Sequence, residues 1–99
     1  MEPMTINHAS VCQTIAKILE RQLGVSPEHA LSGARFDELD SAFDSLAFVE
    51  MQVLLEDEYG VRFDEALAEH ADKMPTNVLE LADILLPLIA ASRAVQSGA

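Results

Sequence analysis

Basic residues are scarce in this chain: six Lys and Arg stand against seventeen Asp and Glu, a formal net charge of -11 over 99 residues. Nucleic acid is an improbable partner, because phosphate binding needs clustered cations. An anionic membrane surface is excluded on the same ground. Aromatics make up 5% of the residues and Trp is absent, although 49% of the chain is hydrophobic. That balance suits helices packed through Leu, Ala, Val and Ile. The single cysteine, Cys12, cannot form an internal disulfide, which fits a reducing, cytoplasmic setting. It falls in an apolar helical pattern and reads as a buried structural thiol. No basic segment followed by an apolar run opens the sequence, so no signal peptide is expected. The longest apolar stretch, Ile84 to Ala91, contains Pro87 and is too short to span a bilayer.

Nor does any period-two alternation compete with the helical spacing that fills the chain. Val11, Ile15, Ile18, Leu19 and Leu23 predict a first helix from about His8 to Leu23, with Gly24 as its stop. Val25 to Asp44 reads as a long connection marked by Ser26-Pro27 and Ser32-Gly33, with Leu31, Phe36, Leu39 and Phe43 pinning it across the helices. Ser45 to Tyr59 is the clearest helix, capped by Asp44 and ended by Gly60. A short helix is expected near Asp64 to His70. A last one follows Pro75 with Thr76 as N-cap, broken or kinked at Pro87 and frayed from Ser92. The expectation is one all-α domain over residues 1–99, with an ordered core of about 8–91 and flexible ends. It holds three main helices, one short helix, and a long loop between the first two.

The helix from Ser45 has two apolar sides. At 100° per residue, Phe48, Met51, Leu55 and Tyr59 form the stripe that folding needs. Leu46, Val49 and Val53 lie roughly opposite, with Glu50 and Asp57 beside them. Either the long loop covers this second stripe, or it is a docking face of apolar anchors rimmed by acids for a partner with a basic patch. Glu56, Asp57 and Glu58 stand near the helix C-terminus, where the dipole disfavours negative charge, and this favours a recognition role. The candidate docking set is therefore Leu46, Val49, Glu50, Val53, Glu56 and Asp57.

The run Phe43-Asp44-Ser45-Leu46 contains Asp-Ser-Leu at the end of a long loop. It opens the acidic amphipathic helix Ser45-Leu-Ala-Phe-Val-Glu-Met-Gln-Val-Leu-Leu-Glu-Asp-Glu-Tyr-Gly-Val. With Thr76-Asn-Val before the last apolar stripe, the chain from Val11 to Ile89 resembles the acyl carrier protein family. It is most like the free-standing carriers of polyketide synthases. The resemblance implies an acyl-carrier-like four-helix bundle and a 4'-phosphopantetheine arm attached covalently at Ser45, with Asp44 and Leu46 completing the motif. A phosphopantetheinyl transferase would install the arm. Acyl-loading, ketosynthase or other biosynthetic enzymes would use its thioesters, and the carrier, a monomer, would catalyse nothing itself. An aminoacyl, peptidyl or fatty-acid carrier, or an unmodified helical interaction protein of the same fold, are the alternatives.

The sequence departs from the family pattern before the motif. Leu39-Asp-Ser-Ala-Phe43 is about two residues longer than usual and lacks a glycine, with Ala42 and Phe43 in the usual places and Asp40-Ser41 as the insertion. Ser41 lacks the following Leu and the helix. Ala47 replaces an acid common in fatty-acid carriers, which points to a specialised pathway. His8, His29 and His70 have no metal-ligand spacing, and Ser45 has neither a nearby His nor nucleophile-elbow glycines, so neither a metal site nor a hydrolase is expected.

Overall fold

A computed structural model describes residues 6–41 and 43–97. Ala42 and the outermost residues of both ends lie outside the described residues. The chain is all-helical, with the order α1 (His8–Leu23), α2 (Pro27–Ala30), α3 (Phe36–Leu39), α4 (Ser45–Tyr59), α5 (Asp64–Glu69), a 3-10 turn (Ala71–Lys73) and α6 (Val78–Ser97). Among the described residues no strand forms, and Arg35 and Asn77 make one isolated bridge.

The long helices begin and end where local chemistry directs. Asn7 caps α1, its Oδ1 accepting from the Ser10 N–H at 2.8 Å. Gly24 and Gly60 close α1 and α4 with φ of 75° and 65°, the left-handed geometry that a Cβ opposes. The core gathers Val11, Ile15 and Leu19 of α1, Met51 and Leu55 of α4, Phe63, and Val78, Leu81, Leu85 and Ile89 of α6, all fully buried. Phe48 and Tyr59, at the ends of the same α4 stripe, pack against this core while half-buried.

Three features differ from the sequence expectations. The long connection carries two one-turn helices. Ser26 caps α2 with Pro27 in its first turn, and the Arg35 N–H donates to Glu38 Oε1 at 3.0 Å to start α3. The Phe36 N–H then donates to the Thr76 carbonyl at 2.8 Å, tying this connection to the segment before α6. Second, the α6 cap is Asn77, not Thr76: Asn77 Oδ1 accepts from the Glu80 N–H at 2.8 Å. Glu80 reaches back instead to the Thr76 N–H and hydroxyl, at 2.8 and 2.9 Å. Third, α6 neither ends at Pro87 nor frays at Ser92, but continues to Ser97. Pro87 removes only the donor that would serve the Asp83 carbonyl, and both residues are exposed, so water can satisfy it. Leu85 and Ile89 stay buried on either side and hold the helix in place.

Candidate functional site

Ser45 occupies the first position of α4 and is exposed. Asp44 accepts the Ala47 N–H on its side chain at 2.9 Å and the Phe48 N–H on its carbonyl at 3.0 Å. The N–H groups of Ser45 and Leu46 are left facing outward at the positive end of the helix dipole, a setting that favours a phosphate oxygen. The Ser45 hydroxyl makes no hydrogen bond among the described residues. Ser41 differs: it lies in a turn closed by the Phe43 N–H on the Asp40 carbonyl at 3.0 Å, with no helix behind it.

Beside Ser45 a cleft of about 620 Å³ opens between α4, α5 and the Met74–Thr76 segment, with Arg35 and Phe36 also in its wall. Its walls are largely apolar. Phe36 stacks on Phe43 with ring centroids 4.8 Å apart, and Phe48 meets both edge-on at 6.2 and 6.3 Å. Thus three of the four phenylalanines gather beside Ser45. Behind the cleft, the seam between Phe48, Met51, Phe63 and Leu85 has no water-sized void.

The second stripe of α4 is uncovered. Leu46, Val49 and Val53 are 64, 50 and 55% exposed, and Leu54 extends the apolar surface. Glu50 and Asp57 are exposed beside them. Glu56 stands apart from that set. Its side chain is 17% exposed and its Oε2 accepts the Phe63 N–H at 2.8 Å, fastening the start of α5 to α4.

No histidine lines the cleft. His8 instead joins α1 to α6, its Nε2 3.0 Å from Asp83 Oδ1 and 3.1 Å from the Leu79 carbonyl, while Cys12 Sγ lies 3.7 Å from its Nδ1. This Cys-His-Asp order is not a nucleophilic centre. Cys12 is buried, and burial, followed by the charge of Asp83, holds its thiol above its ordinary pKa. No cluster of metal-ligating side chains is present among the described residues.

Comparison with known proteins decides the family. A family model described as a phosphopantetheine attachment site matches residues 13–72. An acyl carrier protein of Thermosynechococcus vestitus is 34% identical over 86 residues, spanning 87% of this chain and the whole of that protein. This chain belongs to the acyl carrier protein family. As an acyl carrier protein it bears 4'-phosphopantetheine covalently, serves as a carrier rather than a catalyst, and works with a phosphopantetheinyl transferase and biosynthetic enzymes. The start of α4 fits that group, offering an exposed hydroxyl, two outward amides for a phosphodiester and an apolar cleft alongside. When bound, the group supplies a thiol for thioester formation.

Three contributors carry no sequence signal strong enough to find them. They are the Phe36–Phe43–Phe48 cluster, Gln52 in the cleft wall, and Gln22, whose Nε2 donates to the Ala47 carbonyl at 2.9 Å and ties α1 to the first turn of α4.

Proposed function

We propose that Ser45 carries the arm, with Asp44 and Leu46 as the rest of its motif. The protein then tethers acyl or ketide intermediates as thioesters and presents them to partner enzymes in polyketide or related specialised biosynthesis. The observation that carries the attachment assignment is the exposed, unengaged hydroxyl at the first position of α4, beside outward amides and the cleft. Ala47 in place of an acid, and the Asp-Ser-Leu-Ala run, support the specialised pathway over fatty-acid synthesis.

Leu46, Val49 and Val53, rimmed by Glu50 and Asp57, form the docking face. Exposed aliphatic anchors beside uncompensated acids suit an enzyme with an apolar patch inside a basic rim. A cytoplasmic monomer that meets its enzymes transiently fits this surface. The arm's cargo lies along the cleft rather than within the core, since the seam behind Phe48 has no water-sized void and the cleft has room. Phe43, immediately before Asp44, forms one side of the entrance.

Intact mass after incubation with coenzyme A and a promiscuous transferase tests the assignment. The wild type and Ser41→Ala gain the mass of one arm, and Ser45→Ala gains none. A mass gain that survives Ser45→Ala refutes the site.

A further inference from the structure

Every polar side chain lining the cleft is engaged within the protein except two. Asp37 pairs with Arg35 at 3.2 Å, and Asp64 accepts from Arg62 at 3.3 Å. The Asp44 carboxylate is held by the Ala47 N–H, and the Thr76 hydroxyl by Glu80. Ser45 and Gln52 have no hydrogen-bond partner among the described residues. They are seven residues apart on α4, which is 700° of rotation, only 20° short of two full turns. Gln52 therefore stands on the same face as Ser45, about 10 Å further along the axis.

Gln52 also marks a boundary. It lines both the open cleft and the tight seam behind it, together with Phe48 and Leu67. At that boundary the half-buried Gln52 places a carboxamide beside the apolar side chains of Phe48 and Leu67. An apolar chain lying in the cleft gains nothing from an amide. A chain bearing a carbonyl or hydroxyl needs such a partner, because an oxygen pressed against apolar walls loses its water without replacement. The amide offers both functions: Nε2 donates to a carbonyl oxygen, and Oε1 accepts from a hydroxyl.

We infer that Gln52 determines cargo specificity, making the cleft selective for acyl chains oxygenated near the thioester, of the β-oxo or β-hydroxy class, over saturated chains of the same length. This rests on the reading that the arm leaves Ser45 and lays its cargo in the cleft.

The test loads the full-length protein with hexanoyl, β-oxohexanoyl or β-hydroxyhexanoyl arms, verified by mass, and compares amide spectra with the unloaded holo form. The β-oxo cargo is expected to shift the Gln52 side-chain NH₂ pair and the backbone amides of Phe48 and Leu67. Hexanoyl shifts Phe48 and Leu67 but leaves the Gln52 pair in place. In Gln52→Leu the cleft shifts caused by the β-oxo cargo are lost while those of hexanoyl persist. Gln52→Glu, which keeps the shape and an acceptor but loses the donor, retains the shifts caused by the β-hydroxy cargo and loses those of the β-oxo cargo. An unmoved Gln52 pair under β-oxo cargo, or β-oxo shifts unchanged in both variants, overturns the role of Gln52 and leaves the cleft reading standing. Shifts confined to Ser45 and its neighbours for all three cargoes overturn the cleft reading and this inference with it. Loss of the Ser45 mass gain as the cause is excluded by the loading check.

Discussion

Helices α1 and α4 are nearly equal in length, 16 and 15 residues; each is capped by an amide or carboxylate side chain and closed by a left-handed glycine. They differ in what they do with apolar side chains. In α1, Val11, Ile15, Ile18 and Leu19 are all buried, and the opposite face is polar. In α4, Met51 and Leu55 are buried while Leu46, Val49, Val53 and Leu54 stand in solvent. Folding accounts for the whole of the first pattern and only half of the second. The surplus apolar surface on α4 begins next to Ser45 and is exposed, and it is the surface proposed above for docking.

Truncating the buried half of α4 should have the largest effect. Leu55→Ala should cost about 2–5 kcal/mol, as for a leucine removed from a close-packed core, read by chemical denaturation. A cost near that of a surface change would mean that α4 is not packed as described.

A smaller effect belongs to the cap that positions both faces. Asp44→Ala removes the acceptor for the Ala47 N–H and should cost about 1 kcal/mol. It should also loosen the first turn around Ser45, seen as faster amide exchange at Ala47. Unchanged exchange would mean that the cap does not order the turn.

The smallest effect lies on α6, away from either face of α4. The Thr76 N–H, then the Thr76 hydroxyl and more weakly Lys73, hold the Glu80 carboxyl below the usual carboxylate range. Its folded value is depressed, so its contribution to stability is present above the ordinary carboxylate range. That contribution is lost as pH falls through that range to the lower folded value. Glu80→Gln should therefore lower stability slightly at neutral pH, leave it nearly unchanged in acid, and so shallow the acid limb of a stability-against-pH curve. An identical acid limb would show that the Thr76 contacts do not favour the charged form.

What was legible in the sequence follows the same division between local and distant causes. The limits of α1 and α4, the Asp44 cap and the Gly24 and Gly60 stops rest on neighbours in sequence, and rotation by 100° per residue was enough to separate the two faces of α4. The second one-turn helix of the loop was not readable, because α3 is held by the Phe36 N–H on Thr76, forty residues away. Ser26-Pro27, which marks the connection in the sequence, is also a helix start of the Pro-in-first-turn kind. Pro87 and the polar residues from Ser92 suggested an end to α6. Burial of Leu85 and Ile89 overrode the first, and the second stretch is helical to Ser97. Glu56 looked like one more acid on a charged helix end; only the fold shows that it turns inward to the Phe63 N–H. The lack of partners for Ser45 and Gln52 depends on where Arg35, Arg62 and Glu80 direct their own contacts, which no pattern along the chain encodes.

Whether one face of α4 folds the protein while the other meets its partners can be read from two properties of two variants. Met51→Ala and Val53→Glu are each assayed for unfolding free energy and for the rate of arm installation by the transferase at low and moderate salt. Met51→Ala should show a marked loss of stability, with near-normal modification of its folded fraction. Val53→Glu should keep near-wild-type stability with modification slowed several-fold. A Val53→Glu protein that is modified at the wild-type rate, and serves its other enzymes equally well, would contradict this division between the two faces.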